Sequence, residues 1–206
     1  MNAGIAGRAG ALVARLASGA VTVDLGIGRR VRMLGPFEIA IQAGRDLVFE
    51  VIAAPYLGRT PGSLGGSIEV LERSSDMVLA AHRTPVGQNV VTTLETVRFR
   101  PPEEVAFRLV RGPVPHVVEW FRLSETGPGT TLRYEGELAV DLWRFGRWWG
   151  GIVAGRWESA VRSSMEHVRE ISEMRAQAAR RRSDVPGSSS SVERKGSESR
   201  AKGPGE

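Results

Sequence analysis

Residues 144–182 read RFGRWWGGIVAGRWESAVRSSMEHVREISEMRAQAARRR and have the periodicity of one long helix. Apolar and small side chains recur along it at steps of three and four, which places them on one stripe: Val153, Trp157, Ala160, Val161, Ser164, Val168 and Ile171. No other long helical pattern precedes this segment. Because the stripe has to be buried against a sheet, and one helix rarely fills the space above a curved sheet, we expect a cavity between them.

The residues before this helix have the pattern of an antiparallel sheet. Phe37, Ile39 and Ile41 alternate with polar or small residues, and Gly35-Pro36 is the predicted start of their strand. Residues 45–54 have helical spacing, and residues 58–66 form a glycine-rich loop that can hold one short helical turn. Turn residues then separate six candidate strands, at 67–73, 77–84, 89–100, 104–111, 116–124 and 130–140.

This order of elements predicts an α+β fold with one folded domain. The curved antiparallel sheet has about six or seven strands, short helices follow the first strand, and the long helix comes last. We assign residues 1–35 to an N-terminal extension that is part helical, and residues 36–182 to the domain. Residues 183–206 are rich in serine, glycine and charge, which is typical of a disordered tail.

The composition excludes several kinds of chemistry. The chain has no cysteine, so thiolate nucleophiles, disulfides and cysteine metal sites are excluded, which fits a cytoplasmic location. Its only lysines, Lys195 and Lys202, lie in the polar tail, which leaves no lysine in the domain for a Schiff base. The strong preference for arginine, alanine, glycine and valine is typical of a GC-rich, actinobacterial-like genome.

The net charge of +5 comes from the two ends of the chain. Residues 37–174 hold 15 basic and 18 acidic side chains, a net charge of −3, so we expect no nucleic-acid partner. No stretch is apolar enough to span a bilayer, and we expect no integral membrane association. The basic helix end with Arg180, Arg181 and Arg182 is predicted to make weak contact with an acidic membrane.

The order of elements resembles the START-like, or Bet v 1-like, helix-grip fold of the SRPBCC superfamily, and in particular its bacterial polyketide cyclase/dehydrase branch. The resemblance covers residues 36–176 and lies in FEIAIQ at 37–42, RDLVFEVI at 45–52, RFRPPEEVAFRL at 98–109, GTTLRY at 129–134 and the final helix. It implies a cavity that holds a hydrophobic or aromatic small molecule, lipid-like or polyketide-like. It implies no shared catalytic motif.

Four residues are candidates for acid or base catalysis in such a cavity: His82, Glu95, His116 and Glu119. We select Glu95 and His82 as the catalytic pair. Strand phase can bring Glu95 to the side of Thr93 and Val97, where desolvation would raise its pKa. The alternative is that the strand is bulged and Glu95 faces water or pairs with an arginine, and the sequence favours this alternative because it shows no partner for a buried acid.

Aromatic side chains are the candidate ligand contacts: Tyr56, Phe107, Trp120, Tyr134, Trp143 and Trp157. Trp143, Trp148, Trp149 and Trp157 cluster at the junction of strand and helix, where they form either the cavity mouth or ordinary core packing. The three histidines have no ligand spacing, and no nucleotide motif is present, so we predict no metal and no cofactor. The sequence thus predicts binding of a hydrophobic small molecule, or, as the alternative, a polyketide cyclase or dehydratase that uses the same cavity.

Overall fold

The computed structural model describes residues 14–15, 17–58, 67–86 and 89–183. The strands are β1 (Arg30–Ile41), β2 (Ile68–Arg73), β3 (Met77–Val86), β4 (Asn89–Arg100), β5 (Glu104–Arg111), β6 (His116–Thr126) and β7 (Gly129–Val140). The helices are α1 (Arg45–Ala53) and α2 (Trp143–Ser183). The helical turn expected within residues 58–66, the first 13 residues of the predicted extension and the tail from residue 184 lie outside the described residues.

The seven strands form one antiparallel sheet in the order β1-β7-β6-β5-β4-β3-β2. Five consecutive hairpins join β2 to β7, because each candidate strand is followed by a short turn that reverses the chain. Strand β1 then pairs with β7, so the first and last strands lie side by side. The predicted fold class, a curved sheet followed by a long C-terminal helix, is confirmed.

Strand β1 begins six residues earlier than predicted. Arg30 pairs with Val140 and Arg32 with Leu138, and the register shifts between Leu34 and Phe37. Gly35, with φ of +77°, permits this irregularity. The prediction was wrong because the bulge interrupts the alternation, which made Gly35-Pro36 resemble the start of a strand.

Helix α2 covers only part of the sheet. It buries Val153, Ala154, Val161, Met165 and Ser172 and packs on β1, β7 and the short helix α1. Helix α1 buries Val48, Phe49, Val51, Ile52 and Ala53 against the same core. Helix α2 lies over the β1–β7 edge, and the short helix α1 contacts β5, β6 and β7. Neither of these two helices packs closely on β3 or β4, so the space beneath α2 stays open on that side.

Asp141 fixes the start of α2. Its carboxylate accepts the backbone N–H groups of Leu25 (2.6 Å) and Gly26 (2.9 Å) and the Nε–H of Arg29 (2.8 Å). The hydrogen bond from Arg29 and the two backbone bonds lower the pKa of Asp141 to about 2. One carboxylate thereby holds the segment before β1 against the β7–α2 junction.

We expect Asp141→Asn to lower the free energy of unfolding at pH 7 by about 1–3 kcal/mol, because the amide nitrogen cannot accept these bonds. A carboxylate with a depressed pKa stabilises the folded state above its unfolded pKa of about 3.9, and that stabilisation is lost as the pH falls through about 2. The difference between variant and wild type in urea unfolding should therefore shrink from pH 5 to pH 2. Asp76→Asn is the control, since Asp76 pairs with Arg98 in solvent (3.5 Å), and an unchanged Asp141→Asn protein would contradict the assignment.

Candidate functional site

A cavity of about 780 Å³ lies between α2 and the sheet, on the side that the helix leaves uncovered. Strands β3, β4, β5 and β6, the segment after α1 and the middle of α2 all contribute to its lining. The lining includes Tyr56, His82, Glu95, Phe107, Glu119 and Trp157. The hollow expected from one helix over a curved sheet is therefore present, and it contains ionisable groups as well as aromatic rings.

Glu119 projects from β6 into the cavity wall, and only 5% of it is exposed. Its Oε1 accepts two hydrogen bonds, from the Tyr134 hydroxyl (2.6 Å) and from Trp157 Nε1 (2.7 Å). Burial and, to a smaller extent, the negative charge of Glu95 raise the pKa of Glu119, the two donors oppose this rise, and the net pKa is about 7. Glu119 therefore gains and loses a proton near neutral pH, unlike an ordinary carboxylate.

Glu95 projects from β4 into the same cavity, and 4% of it is exposed. The Thr93 hydroxyl donates to its Oε1 (2.6 Å), and His82 Nδ1 lies 3.2 Å from its Oε2. Burial raises the pKa of Glu95 to about 7, and the bond from Thr93 opposes that rise. The favoured interpretation of a water-facing Glu95 was wrong: a register shift does occur between Leu94 and Glu95, but the side chain turns inward and finds neutral partners instead of an arginine.

His82 is a neutral imidazole in this setting. Burial lowers its pKa to about 4, so the contact with Glu95 is a hydrogen bond between neutral groups when the carboxyl is protonated, and not an ion pair at neutral pH. Nε2 of His82 is buried and has no hydrogen-bond partner among the described residues. A buried polar atom without a partner is costly, and a polar atom of a ligand in the cavity can satisfy it.

Aromatic rings form a continuous wall beside these groups. Tyr56 lies 5.6 Å from the His82 ring and 5.9 Å from Phe107, and Phe107 lies 5.5 Å from Phe121, all between ring centroids. Tyr56, Phe107 and Trp157 line the cavity, as the sequence suggested. Tyr134 is fully buried behind Glu119, so it orients the carboxylate without reaching the cavity itself.

Besides Tyr134, two further predicted ligand contacts lie away from the cavity. Trp120 follows Glu119 on β6 and therefore points to the outer face of the sheet, where Arg122 lies 5.7 Å above its ring. Trp143 is the first residue of α2 and is 56% exposed, and its ring packs over Gly28. Within the tryptophan cluster, Trp149 and Trp157 line the cavity and pack against the core, whereas Trp143 and Trp148 are exposed. The cluster therefore does not act as one unit.

Glu119 is the residue that the sequence-based choice omitted. Val117, Glu119, Phe121 and Leu123 share one strand face, so the alternation already placed this acid among apolar side chains. His116 lies on the opposite face, where its Nε2 is 2.8 Å from Glu137 Oε1. No pattern in the sequence indicated that Trp157, 38 residues further along, donates to Glu119.

The described residues contain neither a metal-binding cluster nor a helix that could span a membrane. No three His, Asp or Glu side chains in that part of the chain are grouped to hold a metal ion. Among the same residues, neither helix combines the length and the apolar character needed to cross a bilayer.

Solved structures with the same architecture are numerous. An aromatase/cyclase, ZhuI, from Streptomyces sp. R1128 is 20% identical with a TM-score of 0.58, over 73% of this chain and 98% of that one. Norcoclaurine synthase from Thalictrum flavum, solved with dopamine and hydroxybenzaldehyde, is 12% identical with a TM-score of 0.54, over 68% and 85%. Ara h 8.0201 is 10% identical with a TM-score of 0.51, over 72% and 99%. The chain has the Bet v 1-like helix-grip fold.

The sequence predicted this fold. At such low sequence identities, the similarity to these solved structures shows a shared fold and does not show a shared function. No protein-family model matches the chain, and no curated protein matches it. The helix-grip architecture explains why the cavity lies where it does, between the sheet and the final helix, but the side chains that line it have to be interpreted on their own chemistry.

Proposed function

We propose that this protein binds a hydrophobic or aromatic small molecule, polyketide-like in character, in the cavity beneath α2. The rings of Tyr56, Phe107 and Trp157 supply apolar surface, and burial of that surface contributes about 25 cal/mol per Å². His82 Nε2 supplies a hydrogen-bonding atom that orients a polar group of the ligand. A cavity of about 780 Å³ falls within the range of pockets for small organic molecules, roughly 300–1,000 Å³.

We further propose that the protein acts on this molecule by acid and base catalysis, as a cyclase or dehydratase would. The observation that carries this proposal is that Glu95 and Glu119 face one cavity and both have pKa values raised to about 7. A carrier of apolar molecules gains nothing from two buried carboxyl groups, which destabilise the fold when they ionise. Paired carboxyls that titrate near neutral pH are typical of acid and base catalysis.

The chemistry follows from the protonation states of the pair. Like charges in one site disfavour double ionisation, so near pH 7 one carboxyl is ionised while the other keeps its proton. The carboxylate removes a proton from a carbon next to a carbonyl group, and the resulting enolate carbon forms a bond with a second carbonyl carbon. The oxygen of that second carbonyl takes its proton from the neutral carboxyl group. Loss of this hydroxyl with a neighbouring hydrogen releases one water and leaves a carbon–carbon double bond.

The solved structures of similar fold support this class of ligand. One is described as an aromatase/cyclase and another as a synthase bound to dopamine and hydroxybenzaldehyde, both aromatic compounds. The proposal for this chain rests on its own carboxyl groups, and these neighbours add only that the architecture accommodates such chemistry.

Two measurements test binding and catalysis separately. Native mass spectrometry of freshly purified protein should detect a bound small molecule, which extraction then identifies. Deuterium uptake by the methyl group of 2-acetylnaphthalene in D₂O, followed by NMR at pH 7, should be faster with the protein than in buffer, because the cavity carboxylate removes the proton. Binding without uptake would favour the carrier function, and absence of both would contradict the proposal.

We also propose that the end of α2 contacts acidic membranes weakly and that the protein is cytoplasmic. Arg180, Arg181 and Arg182 are exposed, and Arg180 Nη2 donates to the backbone oxygen of Gln42 at 3.0 Å. Replacing all three with alanine should reduce binding to vesicles with anionic lipid, by about fivefold for each charge at low salt and less at high salt. Binding that is unchanged, or insensitive to salt, would contradict this contact.

A further inference from the structure

Three large aromatic side chains at the start of α2 are exposed to solvent. Trp143, Phe145 and Trp148 are 56%, 56% and 60% exposed. Phe145 and Trp148 lie 5.8 Å apart between ring centroids, so they form one surface instead of scattered side chains. Grouped aromatic residues in solvent mark a surface that another molecule covers.

The same surface is strongly basic. A groove of about 380 Å³ between the start of β1 and α2 is lined by Arg30, Arg32 and Arg147, and Arg144 lies on the same helical turn as the exposed rings. Residues 25–33 and 142–149 contain five arginines and no acidic side chain. Among the described residues, no carboxylate forms an ion pair with Arg30, Arg32, Arg144 or Arg147.

The loop before β1 joins these two segments into one surface. The backbone N–H of Trp143 donates to the Gly28 oxygen at 3.2 Å, and the indole ring of Trp143 lies over Gly28. Leu25 and Ile27 in this loop are 52% and 51% exposed. The two carboxylates that border this surface in sequence, Asp24 and Asp141, both pair with Arg29. The positive charge of the surface therefore comes from Arg30, Arg32, Arg144 and Arg147, and not from Arg29.

We propose that this surface, the aromatic–arginine patch of Trp143, Phe145 and Trp148 with Arg30, Arg144 and Arg147, docks on an anionic lipid bilayer. Tryptophan and phenylalanine are favoured at the boundary between headgroups and acyl chains, and arginine binds lipid phosphates through two hydrogen bonds. A second copy of the chain does not complement the patch, because a symmetric contact would place arginines against arginines.

The patch differs from the arginine cluster at the other end of α2. Arg182 lies 39 positions after Trp143 in α2, about 60 Å along the helix. Arg180, Arg181 and Arg182 have no exposed aromatic ring among them, so contact there would be purely electrostatic. The aromatic–arginine patch is expected to insert its rings as well, which makes binding persist at salt concentrations that abolish a purely electrostatic contact.

The test is sedimentation of the full chain with vesicles of phosphatidylcholine alone or with 30% phosphatidylglycerol. The wild type should bind the anionic vesicles. We expect Trp143→Ala, Phe145→Ala and Trp148→Ala together to weaken binding about 100-fold, and Arg144→Ala with Arg147→Ala to weaken it about 30-fold. Because all five side chains lie on the surface, the variants should fold, which circular dichroism and thermal unfolding verify.

A second measurement reports insertion directly. Brominated phosphatidylcholine in the anionic vesicles should quench tryptophan fluorescence in the wild type, and the quenching should largely disappear in Trp143→Phe with Trp148→Phe, which keeps the aromatic surface. The control replaces Arg180, Arg181 and Arg182 with alanine. At a salt concentration that abolishes the purely electrostatic contact of that helix end, this variant should retain the quenching. No binding to anionic vesicles, no quenching, or capture by an acidic protein without vesicle binding would overturn the proposal. None of these results depends on whether the cavity binds or transforms a ligand.

Discussion

Replacing Glu119 with glutamine is expected to slow deuterium uptake from the cavity by about 10²–10⁴-fold, the usual contribution of a positioned acid or base. The amide oxygen of glutamine still accepts the bonds from Tyr134 and Trp157, so the position of the side chain is kept and only its titration is lost. A loss of activity in this variant therefore reports on proton transfer and not on a collapsed site.

The same substitution is expected to make the protein more stable above pH 7. A carboxyl whose pKa is raised on folding stabilises the native state fully below its unfolded pKa of about 4.3, and that stabilisation is lost as the pH rises through about 7. Glutamine has no charged form, so it avoids this loss. Urea unfolding should show a gain of about 1–3 kcal/mol for Glu119→Gln over the wild type at pH 8, and almost none at pH 4.

Two further variants make this result specific. Glu95→Gln should behave in the same way, because burial also raises the pKa of Glu95. Glu135→Gln is the matched control: Glu135 is a carboxylate on the outer face of the neighbouring strand, and its hydrogen bond from Arg133 lowers its pKa. If Glu119→Gln retained activity, or if Glu135→Gln gained as much stability at pH 8, the role given to the cavity carboxyls would be wrong.

Local periodicity predicted the fold well, since each strand pattern is set by residues two apart and each turn by glycine, proline or serine between them. Candidate strands at 89–100 and 104–111 coincide with β4 and β5. The predicted helix at 144–182 coincides with α2 to within one residue at each end. The start of β1 was predicted poorly because this strand contains a bulge. A bulge interrupts the alternation of apolar and polar residues, which is the pattern that identifies a strand in the sequence.

The site was predicted only in part, because it depends on distances between elements. The phase of β6 places Glu119 on the inner face, but its value as an acid depends on Tyr134 and Trp157, which reach it from β7 and α2. The inward orientation of Glu95 depends on Thr93 and His82, whose side chains contact its two carboxyl oxygens. These contacts allow the carboxyl group to be buried without an arginine partner. The exposure of Trp143 depends on how α2 sits on the sheet, and no periodicity within the helix contains that information.

Gly146→Ala is expected to cause the largest loss of stability. A Cβ atom at Gly146 would lie 1.7 Å from the backbone oxygen of Asp141, and backbone cannot move aside as a flexible side chain can. The first turns of α2 would have to shift, and we expect a cost of about 3 kcal/mol, as for severe overpacking. Thermal and urea unfolding measure this loss.

The shift should also reach the cavity, because Trp157 lies three turns further along the same helix and donates to Glu119. Gly155→Ala is the matched control: nothing lies within 4 Å of a Cβ at that position, so alanine should stabilise α2 by about 0.5–1 kcal/mol. Opposite signs for the two substitutions would show that the close approach at Gly146, and not helix propensity, sets the position of α2 over the cavity. Equal, small effects would contradict that close approach.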